Sequence, residues 1–239
     1  MLGIIVQLLI SWVIIWFFEK GNLTIFGFYP TRKRLFGFVL FFTVTGLCCS
    51  SDFFMRMLFA QQRWEINPRL TANLILTGIW WNVKSVLFEE FIFRGVLFYI
   101  LIRKLGNTKA IIISAIAFGI YHWFSQSGFG NITQMAITFV TTGIMGLVYA
   151  YAYSKTFSLY YPVAIHLGWN LTSSVIFSKS VLGDQLLTQV QPVPEVQVGY
   201  FVFFSIMLVP ILSAYVINFL LLRRLKQEPI PHPRSRHNQ

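Results

Sequence analysis

Charge is scarce in this 239-residue chain: 11% of its residues are charged, and only 8 are acidic. With 56% hydrophobic residues and a mean hydropathy of +0.64, that scarcity excludes an ordinary soluble domain and points to a polytopic membrane protein. Cysteine is nearly absent. Cys48 and Cys49 are neighbours in an apolar segment, a spacing that forms neither a C-x-x-C pair nor a zinc array, so they read as small buried hydrophobes. There is no internal repeat and no H-E-x-x-H. No Lys or Arg precedes the apolar stretch Leu2 to Phe18, and no small-residue cleavage site follows it. The stretch is therefore expected to be a retained first span with its N-terminus outside, not a signal peptide. Proline is missing from Leu70 to Leu105, which leaves one long helix-compatible run.

Hydropathy predicts an all-α, polytopic transmembrane bundle of about seven spans, near 2–18, 35–59, 72–102, 109–124, 132–153, 159–178 and 199–222. The third is longer than hydrocarbon is thick and must tilt, bend or project. With the N-terminus outside, thirteen of the nineteen Lys and Arg fall on cytoplasmic connections or the tail, three on external connections and three within spans. That asymmetry predicts an N-out, C-in orientation. It also accounts for the net charge of +11 without any nucleic acid. Residues 1–222 read as a single transmembrane domain, with a catalytic core at about 75–178. Residues 223–239, rich in proline and basic side chains, read as a disordered cytoplasmic tail. Ser178 to Gln197 reads as a non-helical external loop containing Pro192 and Pro194. Ser125 to Asn131 reads as a polar loop.

Against this background, Glu89, Glu90 and Arg94 stand out inside the third apolar run. A charge at a helix centre costs roughly 2.5–3.5 kcal/mol on insertion scales, so such groups persist where something needs them. Residues four apart share a helical face, which lets Glu90 pair with Arg94 as structural support. Glu89 points about 100° away. Counting from the cytoplasmic charges, Glu89 lies 14 residues from Arg103 and His122 lies 13 from Lys109. Both are about 20 Å deep and can meet across neighbouring antiparallel helices. His166 and Asn170 follow Lys155 by 11 and 15 residues, bracketing the same level, and share one face. A carboxylate, two imidazoles and an amide at one depth are the parts for attacking a carbonyl with water. His232 and His237, in the tail, are assigned no role.

These residues carry a resemblance. Glu89-Glu90-x-x-x-Arg94, Phe118-x-x-x-His122 and His166-x-x-x-Asn170 are similar in order and spacing to the three motifs of the CAAX-protease and bacteriocin-processing family. These intramembrane endopeptidases are also called the abortive-infection family. The resemblance covers about residues 75–178. It implies an endopeptidase cutting a peptide or protein substrate in or at the lipid bilayer. Glu89 is then the water-activating base assisted by His122, with His166 and Asn170 donating to the oxyanion. No nucleophilic Ser or Cys accompanies the motifs, so an acyl-enzyme is not indicated. A metal-free glutamate mechanism is favoured. The alternative binds zinc through Glu89, His122 and His166. A non-catalytic scaffold or bacteriocin-immunity protein and a proton-coupled transporter are the other readings. The small size points to a bacterial plasma membrane.

Overall fold

In the computed structural model, residues 2–125 and 129–231 are described. The centre of the expected polar loop, 126–128, and the tail from 232, with His232 and His237, lie outside them. The described chain is all-α but for one short sheet. Its helices are α1 (Leu2–Glu19), α2 (Arg32–Phe59), α3 (Ala72–Phe93), α4 (Val96–Leu105), α5 (Asn107–Ser125), α6 (Ile132–Thr156), α7 (Tyr160–Leu171) and α8 (Tyr200–Arg224). Among the described residues α1, α2, α6 and α8 are long and apolar enough to cross a membrane.

The expected third span is two helices. α3 stops at Phe93 and α4 starts at Val96, because at Gly95 the backbone lies so close to the preceding turn that a Cβ would sit 2.0 Å from the Phe91 carbonyl oxygen. The carbonyl of Phe93, at the interrupted end, accepts from the Ser114 hydroxyl at 2.8 Å. The overlong run is thus accommodated by a break, the bend that its length requires.

The chain divides into two compact units, one of residues 1–38, 86–163 and 219–239, the other of 39–85 and 164–218. In the first unit α5 buries the stripe Ala110, Ser114, Phe118 and His122, together with Ala115 and Gly119. It packs on α6 at short range. A Cβ on Gly119 would lie 2.7 Å from the Phe139 ring, and one on Gly146 would lie 3.2 Å from the Phe118 ring. Small residues at a helix contact are the usual means of close packing in lipid, where no hydrophobic effect draws helices together. The segment before α2 is held by α6 and its C-terminal turn: Tyr153 donates from its hydroxyl to Ile25 O at 2.8 Å, and Leu159 N–H donates to Phe26 O at 3.0 Å.

The expectation of a disordered tail does not describe residues 225–231. Gln227 Nε2 donates to Ser154 O at 2.8 Å, Glu228 N–H to Lys155 O at 3.0 Å, and the Tyr99 hydroxyl to Pro231 O at 2.7 Å. The physical reason is the end of α6. Ser154 and Lys155 carry carbonyls in its last turn, which have no partner within the helix and accept from the tail instead.

In the second unit, Cys49, Phe53 and Phe177 are buried together, with Trp64, Trp169 and Leu187 against them. The rings of Phe53 and Phe177 stack at 3.9 Å between centroids. The non-helical segment after α7 contains a strand, β2 (Leu187–Gln189), which pairs antiparallel with β1 (Trp64–Ile66). Asp52 accepts from Arg56 Nε at 2.9 Å and from Lys179 Nζ at 3.2 Å. At Gly168 a Cβ would come within 2.4 Å of Phe42 O, so α7 and α2 touch backbone to backbone there.

Candidate active site

The last turns of α3 bring the two acids into the first unit on different faces. Glu90 and Arg94 form the predicted i,i+4 pair, with Nη1 to Oε1 at 3.3 Å and both side chains fully buried. The guanidinium is also contacted from other helices. Its Nη2 donates to Gly146 O on α6 at 3.1 Å, and its plane lies 4.3 Å from the Phe118 ring centroid and 5.0 Å from that of Tyr149. The absence of a side chain on Gly146 brings that carbonyl within reach. Aromatic faces stabilise the cation where water cannot.

Glu89 meets His122 of α5. Its Oε2 lies 3.9 Å from His122 Nε2, and both residues are buried. The histidine is oriented by its own helix, with Nδ1 2.8 Å from the carbonyl oxygen of Phe118. A carbonyl only accepts, so Nδ1 carries a hydrogen, and Nε2 is the ring nitrogen that faces the Glu89 carboxylate. The Phe118 ring, 4.4 Å from the imidazole, therefore packs against both His122 and Arg94.

His166 and Asn170 lie one turn apart on α7, in the second unit, with His166 buried. The helix changes character just beyond them, with Thr172–Ile176 forming a π-helical turn. Such turns recur at functional sites. The Ser174 hydroxyl contacts the Asn170 carbonyl and lies 2.9 Å from Asn82 Oδ1, while Asn82 Nδ2 donates to Gly78 O at 2.9 Å. The π-helical turn that follows α7 is thereby tied to α3 within that unit. Among the described residues no group of three or more His, Cys, Asp or Glu is placed to hold a metal ion.

Sequence reasoning did not find Tyr149 or Gly146. Neither carries a motif, and their contribution is a ring face and a bare backbone carbonyl. The small residues Gly119, Gly143 and Gly146 facing α5 and α6 are the signal that marks the close contact.

No curated protein and no solved structure gives a match. Residues 71–172 match the model of a family described as type II CAAX prenyl endopeptidase Rce1-like. That range begins at the start of α3 and ends just past Asn170, so it takes in all three motifs. By this match the helical segment 71–172, just over two fifths of the chain, is similar to the Rce1-like type II CAAX prenyl endopeptidase family.

Proposed function

We propose that the protein is an intramembrane endopeptidase that hydrolyses a peptide bond in a membrane-associated or lipidated substrate with water activated by Glu89. The observation that carries this reading is the approach of Glu89 to His122. At 3.9 Å the two acceptors are too far apart for a direct hydrogen bond. The gap suits one water that donates a hydrogen to each and turns its lone pair toward a bound carbonyl. Attack transfers the water's oxygen to the carbonyl carbon and one proton to Glu89. The tetrahedral oxyanion is stabilised by donors from His166 and Asn170. Protonated Glu89 then returns its proton to the amide nitrogen as the C–N bond breaks, so water is divided between the two products. Glu90 and Arg94 fix the turn from which Glu89 projects and remain outside the chemistry.

The test is cleavage of a panel of membrane-anchored peptides, lipidated and unlipidated, by the purified protein. Asn170→Ala is expected to lose about 10²–10³ in turnover, as one oxyanion donor contributes. A strong chelator is expected to leave the rate unchanged. Stoichiometric zinc lost together with activity in His166→Ala would keep the protease and replace its mechanism. A folded wild-type protein that cleaves nothing in the panel would favour a scaffold.

We further place the protein in a bacterial plasma membrane, N-out and C-in with about seven spans, on the bias of Lys and Arg. In a background lacking Cys48 and Cys49, an impermeant thiol reagent added from outside should modify Val181→Cys, which is exposed, and spare Lys104→Cys. The reverse labelling pattern would overturn the orientation.

A further inference from the structure

A cavity of about 860 Å³ lies in the first unit, and neither the three motifs nor the proposed chemistry uses it. Its walls come from the segment before α2, the first turn of α2, the end of α6 and the returning tail. Phe28 and Phe157 give it apolar sides, and the phenol of Tyr161 enters from α7. Two cations line it. Lys33 and Arg34 lie in the first turn of α2, and Arg34 is held in place by donating from Nη1 to Tyr29 O at 2.8 Å. Facing them is Glu228, which makes an ion pair with Lys33. Glu228 is the last acidic residue of the chain and the sole acid in a segment that otherwise carries Arg223, Arg224 and Lys226. The tail that delivers it is anchored on both sides, by Gln227 to α6 and by Pro231 to Tyr99. A carboxylate from the chain itself thus sits where an anion is wanted.

We infer that this cavity binds the headgroup of an anionic phospholipid, its phosphate on Lys33 and Arg34, and that the Glu228 carboxylate competes with that phosphate for Lys33. Charge complementarity carries the class of ligand. Two cations beside an apolar wall match an amphiphile with a negatively charged head, and basic pockets between membrane helices take such headgroups. A zwitterionic headgroup would bring its own ammonium against the same two cations. Glu228 sets the occupancy: while paired with Lys33 it leaves one net positive charge in the lining, and once displaced or neutralised it leaves two.

Native mass spectrometry of the full-length protein in non-ionic detergent tests this, with dihexanoyl phosphatidylglycerol, dihexanoyl phosphatidylcholine and inorganic phosphate as probes. Lys33→Gln and Arg34→Gln are each expected to weaken phosphatidylglycerol binding by about fivefold, the effect of one basic side chain near an anionic headgroup. Glu228→Gln is expected to strengthen it by a similar factor. Lys33→Gln and Glu228→Gln break the same ion pair, so a purely structural effect would move both variants in one direction, whereas the inference moves them oppositely. Lys226→Gln, outside the cavity, should bind as the wild type does. Equal binding of phosphatidylcholine overturns the inference. So does a loss in Lys226→Gln as large as that in Lys33→Gln. Inorganic phosphate binding as tightly as phosphatidylglycerol would replace the lipid by a free anion.

Discussion

Glu89→Gln is expected to lower turnover by about 10²–10⁴-fold, the usual contribution of a positioned general base, while the protein inserts and folds as before. Glutamine keeps the length of the side chain and an acceptor oxygen. A water can therefore still bind between residue 89 and His122 Nε2, 3.9 Å from the carboxylate in the unaltered site. What the amide cannot do is take the proton when that water attacks. Substrate binding should change little, so the loss belongs in kcat and not in KM. His122→Ala should be comparably damaging, because it removes the second acceptor that orients the water. Full activity in Glu89→Gln would falsify the catalytic reading of this residue.

Glu90→Gln should strike folding before chemistry. Arg94 is fully buried and keeps its charge, so removing the partner carboxylate leaves an uncompensated cation in a site of low dielectric. Breaking a buried pair in this way costs about 3–5 kcal/mol. The Gly146 carbonyl and the two ring faces reduce that cost without cancelling a full charge. Folded yield and the midpoint of thermal unfolding in detergent should therefore both fall. Adding Arg94→Met to Glu90→Gln should restore much of the loss, since the cavity then holds no charge at all. If both single variants fold normally and lose only turnover, these residues act in the reaction and the structural assignment is wrong.

Much of this arrangement was legible in residue spacing. The Glu90–Arg94 pair follows from helical periodicity alone, and the meeting of Glu89 with His122 follows from counting residues inward from cytoplasmic charges on antiparallel segments. Both inferences use one-dimensional distance, which a helix converts to height in a fixed ratio. What stayed hidden depends on the third dimension. Between α3 and α4 the chain turns at Gly95, where any Cβ would fall 2.0 Å from the Phe91 carbonyl oxygen, a demand that a lone glycine in an apolar run does not announce. The aromatic faces around Arg94 come from α5 and α6, more than twenty and fifty residues away. The contacts of residues 225–231 were hidden for a related reason. Their composition is that of a disordered segment, but the free carbonyls at the end of α6 provide partners that composition does not reveal. The pairing of β1 with β2 joins segments more than a hundred residues apart, each only three residues long.

That Arg94 finds its carboxylate on its own helix has a bearing on biogenesis. A transmembrane helix enters the bilayer before its neighbours have assembled around it, and any charge it carries must be tolerated during that interval. Glu90 and Arg94 are adjacent as soon as the last turn of α3 has formed, with no other part of the protein present. On the proposed seven-span topology the segment would be inserted carrying a closed dipole in place of two separate ions. Gly146, Phe118 and Tyr149 arrive later and add to a charge already matched. Had the carboxylate been on α6, the arginine would have to cross into lipid alone and wait for it. The order of synthesis would therefore favour a short-range partner for Arg94, the most deeply buried cation among the described residues.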